Sequence, residues 1–264
     1  MNKMNDVVLL EWTFSPPDYL DEPIEIVRDD YSLTIAEGKA EAKIEPSHFD
    51  AHPTMRQELH NELHYRFRAM ELLKHKVFEL SSSTMVRVHP DGRKDFFVKL
   101  ESATLRITAG ALDFQVLDPN GNIVVDTKQE RIENSKQLAG LFSSYSDDEI
   151  VRTMFGSFNA AMRDPNNELV HLYEIRDALH TRFGRDKAVK LRLGISNDEY
   201  RRFGEICNDL PLKQGRHRGK KIGELRDATH EELTEARNIA RTMIEAYLQF
   251  LESNPVSSSL IRNS

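Results

Sequence analysis

Tyr145-Ser146-Asp147-Asp148-Glu149-Ile150-Val151-Arg152-Thr153-Met154-Phe155 is where the chain changes its grammar. Ser146 and Glu149 have the spacing of a capping box, in which a hydroxyl and a glutamate satisfy the first free N–H groups of a helix, and Tyr145 and Ile150 are placed as its apolar staple. Asp147, Asp148 and Glu149 fall in the first turn, where negative side chains offset the helix dipole, and this accounts for them without a metal. Val151, Met154, Phe155, Phe158 and Met162 then share one helical face up to Asp164-Pro165.

Downstream the pattern stays helical. Leu169, Leu172, Tyr173, Leu179 and Phe183 predict a second helix stopped by Gly184. Ser196 with Glu199 and Thr229 with Glu232 are two further capping boxes, the latter opening a long helix that ends at Asn254-Pro255. Upstream the pattern is that of strands: Val7 to Phe14, Ile24 to Val27, Tyr31 to Ile35, Met85 to His89 and Phe96 to Leu100. Pro90-Asp91-Gly92-Arg93 is a hairpin turn, and Asp118 to Asn122 is a second one between Phe114 to Leu117 and Ile123 to Val125. One helix, Pro53 to Met70, interrupts the strands. The expected fold class is therefore α+β, with a mainly antiparallel β-rich domain over residues 1–135, a helical bundle over 146–252 and a flexible tail over 253–264. The break between the halves is expected between Asp126 and Tyr145, where Gly140 and serines interrupt the pattern.

The 264 residues are 39% hydrophobic and 30% charged, the composition of a globular protein with a core of its own. A net charge of −7 argues against a protein that coats DNA. The single cysteine, Cys207, excludes an internal disulfide and falls in helical step with Tyr200 and Phe203, so it reads as core. No run approaches a membrane span or a signal peptide, and the expected location is cytoplasmic, with no membrane partner.

Against this acidic background one stretch concentrates positive charge. Asn208-Asp209-Leu210-Pro211-Leu212-Lys213-Gln214-Gly215-Arg216-His217-Arg218-Gly219-Lys220-Lys221 lies between two helices, and nothing in it is called for by a core. Arginine meets phosphate or carboxylate with a planar fork, and lysine adds a mobile point charge. Gly215 and Gly219 let the backbone approach a ligand, and His217 is placed to act as general acid or as a further donor. The bland alternative is a solvated linker whose cations pair with Glu199, Glu205 and Asp209. The expected ligand contacts are Arg216, Arg218, Lys213, Lys220, Lys221 and Asn208, with His217 the catalytic candidate.

His60 and His64 stand one helical turn apart, a spacing that suits zinc, but Asn61 occupies the position where a metalloprotease carries glutamate. No metal site is assigned. There is no P-loop, no dinucleotide fingerprint and no serine-esterase elbow, so no cofactor is called for.

Leu172-Tyr173-Glu174-Ile175, Leu193-Gly194-Ile195-Ser196, Asn208-Asp209, Gly215-Arg216-His217 and the final helix from Thr229 resemble the HEPN superfamily, in particular the helical C-terminal domains of uncharacterised bacterial proteins, some linked with phage defence. The resemblance implies a helical, dimer-forming domain that engages RNA or a nucleotide anion, and ribonuclease activity with His217 as the catalytic residue. Catalytic members carry an arginine four to six residues before a histidine. No arginine precedes His217 at that distance, and Arg176 to His180 and Arg226 to His230 are each separated by three residues. A second expectation is a non-catalytic scaffold, its β-rich half holding a protein partner and its bundle forming a homodimer.

Overall fold

A computed structural model describes residues 6–89, 93–97, 115–117, 123–220 and 223–254. An antiparallel sheet precedes a run of helices, so the fold is α+β. The chain divides into two compact units, one of residues 1–70 and 78–136, the other of 71–77 and 137–264.

The first unit comprises β1 (Val7–Ser15), β2 (Ile24–Val27), β3 (Tyr31–Ala36), β4 (Lys39–Ile44), α1 (Pro46–Ala51), α2 (Met55–Lys74) as far as Met70, β5 (Glu79–Leu80), β6 (Thr84–Val88), β7 (Lys94–Phe97), β8 (Gln115–Leu117), β9 (Ile123–Asp126) and α3 (Thr127–Ser144) as far as Lys136, the last turns of α2 and α3 belonging to the second unit. Its sheet runs β2-β3-β4-β1-β6-β7, with β5 paired to the end of β1, while β8 and β9 form a separate ribbon. Because side chains alternate along a strand, β1 turns Val8, Leu10, Trp12 and Phe14 inward and leaves Glu11 and Thr13 exposed. Helix α2 covers that face: Phe67 meets Phe14 at 4.8 Å and Tyr19 at 5.7 Å between ring centres. Burial of a side chain such as Phe67 contributes roughly 1.5–3 kcal/mol.

Two elements differ from the sequence reading. Lys39-Ala40-Glu41-Ala42-Lys43-Ile44 shows no strand propensity, yet it forms β4 and pairs with both β1 and β3. Its alternation of buried Ala40, Ala42 and Ile44 with polar residues fits the sheet, and two flanking strands override its helix-favouring composition. The stretch expected to break the pattern is helical as well: α3 runs through Gly140 and buries Ile132, Leu138, Leu141 and Phe142. The turn residues at 90–92 and 118–122 and the tail from 255 lie outside the described residues, as does Lys221.

The second unit carries α4 (Glu149–Arg163), α5 (Glu168–Phe183), α6 (Asp186–Leu193), α7 (Asn197–Gly204) and α8 (His230–Ser253). Ser146 does not cap α4. Asp148 does, accepting the Val151 N–H at 2.9 Å, while the Ser146 hydroxyl donates to the Ser143 carbonyl. The other two caps form as expected: Ser196 accepts from the Glu199 N–H at 3.1 Å, and Thr229 and Glu232 complete a reciprocal capping box. Helices α5 and α8 supply much of the core with Leu172, Ile175, Leu179, Ala236, Ala240 and Met243. Cys207 is fully buried, and burial pushes its thiol pKa up, the reverse of what a reactive thiolate needs. Among the described residues no helix is long and apolar enough to cross a membrane.

Candidate functional site

The cationic stretch is held by the second unit's own backbone. After α7 the chain winds one π-helical turn over Glu205–Asp209, closed by the Leu210 N–H on the Glu205 carbonyl at 2.9 Å. Such turns carry one residue more than an α-helix accommodates and recur at functional sites. The Arg216 N–H then bonds the Cys207 carbonyl at 3.0 Å, the Lys213 N–H donates to the Arg226 carbonyl at 2.9 Å, and the Arg226 N–H donates to the Pro211 carbonyl at 3.0 Å. Leu212 is 1% exposed. The segment is therefore a fastened loop with a core residue of its own, contrary to the expectation that nothing in it is called for by a core. Gly215 is buried in a tight space: a Cβ there would stand 3.3 Å from the Leu212 carbonyl oxygen and 3.4 Å from that of Cys207. Gly219 has open space around it.

The cations of this loop have different fates. The Lys213 ammonium is 2.9 Å from Asp227, and this bond holds the Asp227 carboxyl below its usual range. Arg216 lies over the Tyr173 ring, 4.2 Å from its centre, and reaches Asp177 at 3.4 Å. The Arg218 guanidinium donates to the Asn167 side-chain carbonyl, a neutral partner, and so keeps its whole charge. Asn167 in turn donates to Asp164 at 2.7 Å, and Asp164 also meets His171 at 3.3 Å. Lys220 is exposed, and so is His217, whose ring has no partner among the described residues. Asn208 is half-buried and donates to its neighbour Asp209 at 2.9 Å. The pairings that do form use Asp177 and Asp227, not Glu199, Glu205 or Asp209.

Beneath Arg216 the structure assembles a cluster that spacing alone does not announce. Arg176 and His180, one turn apart on α5, both bind Asp186 at the start of α6, at 2.8 and 2.6 Å. Burial opposes the Asp186 charge, but the bonds from Arg176 and His180 outweigh it and hold the carboxyl below its usual range. The Tyr200 hydroxyl stands 3.0 Å from His180 Nε2, and Arg176 lies 4.5 Å from the Tyr200 ring centre and 5.3 Å from that of Tyr173. Tyr173 thus sits against both arginines and stacks on Phe203 at an interplanar angle of 7°. The legible signal was the pair Arg176 and His180 on one helical face. Their meeting with Asp186 and Tyr200 is a tertiary fact.

His60 and His64 belong to the first unit. His60 Nδ1 accepts the Trp12 indole N–H at 3.2 Å, and His64 packs edge-on against Phe78. Burial, then the charges of Arg68 and His60, push His64 down to about 4. Among the described residues no group of three or more histidines, cysteines or carboxylates is arranged to hold a metal ion. Comparison with protein-family models, with curated proteins and with solved structures returns no match, so the function of this site is argued from its own geometry.

Proposed function

We propose that the helical unit binds an anionic ligand, RNA or a nucleotide, along the face where Arg216, His217, Arg218 and Lys220 line up. The observation that carries the reading is the exposed His217 beside Arg218 and Lys220, two cations that lack a carboxylate partner among the described residues. Arg216 and Lys213 have counter-ions and contribute less free charge. On a chain of net charge −7 a patch this small suits a short or single-stranded ligand better than a duplex. The resemblance of the second unit to the HEPN superfamily supports the same choice of ligand and a setting in phage defence or a related stress response.

The test is binding of a short labelled single-stranded RNA across salt concentrations. Arg218→Ala with Lys220→Ala is expected to weaken binding and to reduce the slope of log affinity against log salt by about 1.4, roughly 0.7 per phosphate contact. Equal affinity and slope in the wild type and the double variant overturn the proposal. A ribonuclease reading is favoured by the exposed imidazole of His217 between two arginines. A cleavage assay with His217→Ala decides it, and undiminished cleavage in that variant ends it.

A further inference from the structure

A polar cavity belongs wholly to the first unit and has no part in the reading above. It has a volume of about 400 Å³ and is lined by Pro53, Arg56, Gln57, His60, Ser82 and Ser83. Small-ligand pockets span roughly 300–1,000 Å³, so this one has room for a small organic molecule. No acidic side chain lines it.

Arg56 is a half-buried cation without a carboxylate partner among the described residues. Its guanidinium is steered by Ser83: Nε donates to the hydroxyl at 2.6 Å and Nη2 to the carbonyl oxygen. This leaves Nη1 to bond whatever enters the cavity. A fixed fork with an unspent edge is a recognition element for an oxyanion, whereas a structural arginine would close its charge on an Asp or Glu.

His60 supplies the second donor, and its tautomer follows from Trp12. An indole nitrogen can only donate, so the 3.2 Å contact requires His60 Nδ1 to be the unprotonated acceptor. The ring proton of the neutral imidazole then resides on Nε2, for which no partner exists among the described residues. Burial first, and the nearby Arg56 charge second, hold the His60 pKa below its usual range, so the ring is a neutral N–H donor at neutral pH. Arg56 and His60 are four residues apart on α2 and share its face, so both donors converge on one space. A cation would be repelled there, and an apolar ligand would strand both donors.

We propose that this cavity binds a small organic anion, its carboxylate or phosphate group held between the Arg56 guanidinium and the His60 Nε2–H. Trp12 is the sole tryptophan of the chain and bonds His60 directly, so its emission reports on occupancy. The 264-residue chain is titrated with inorganic phosphate and, separately, with acetate, with chloride at matched ionic strength as the control. A saturable change in Trp12 emission is expected with phosphate, acetate or both, and the arm that saturates identifies the anionic group. Arg56→Gln is expected to weaken that response about tenfold or more, as the loss of one charge-assisted contact implies. Arg56→Lys keeps the charge without the fork and should fall between the two, read by calorimetry on protein whose melting transition is intact. The proposal is overturned if neither anion exceeds the chloride control, or if Arg56→Gln binds as the wild type does. Either result leaves the RNA experiment untouched, since no residue is shared.

Discussion

Gly204 shows how much of the candidate site depends on one missing atom. A Cβ at that position would collide with Nη1 of Arg176, the side chain that also engages Asp186, Tyr173 and Tyr200. Gly204→Ala should therefore cost about 1–3 kcal/mol, as overpacking does, measured by urea denaturation. Nothing in the sequence marks this glycine as different from Gly219, which has open space around it. The cationic residues were legible because arginine and lysine on an acidic chain stand out by composition. Their partners were not, because Asp177, Asn167 and Asp227 come from elsewhere in the chain, and one-dimensional spacing carries no record of which carboxylate arrives.

Elements whose signals lie in adjacent residues were read best, and those decided by neighbours were missed. The caps at Ser196 and Thr229 involve residues three positions apart, so the sequence contains the whole interaction. At α4 two acceptors competed within three residues, and Asp148 took the role expected of Ser146. Strand β4 exists because β1 and β3 flank it, which no propensity of its own conveys. The start of α8 yields a pH prediction. Bonds from Arg226, against an opposing effect of burial, then from the Thr229 backbone, bring the Glu232 pKa down to about 2 from an ordinary 4.5. The folded state holds this carboxylate charged more strongly than the unfolded state does. Its stabilising contribution is therefore whole above pH 4.5 and is lost as pH falls toward 2. Glu232→Gln should be less stable than the wild type at pH 7, with the difference shrinking across that acid window in thermal melts. Thr229→Ala removes the other half of the cap and should cost about 1 kcal/mol at pH 7, measured by urea denaturation.

At the scale of the whole molecule, each unit keeps a neutral histidine inside. His64 in the first and His75 in the second are both pushed down to about 4, burial being the larger cause in each. His75 lies beside buried Glu168, which Arg237 grips through two nitrogens, and against the Phe158 ring. An unfolded chain takes up these protons near 6.5, before the folded one can. Stability therefore declines as pH drops from 6.5 to about 4 and levels off below that as far as these two groups are concerned. Urea midpoints at pH 7.5 and pH 5 check this, and a phenylalanine at position 64 should flatten part of the dependence. The π turn has a consequence of a different kind. The carbonyl of Cys207, within that turn, is where the Arg216 amide attaches. A deletion of one codon between Glu205 and Asp209 would let the coil rewind to ordinary α geometry with the bundle intact, and the cationic loop would come unmoored. Descendants of such a deletion would inherit the scaffold without the proposed binding face, a loss invisible to any comparison of folds.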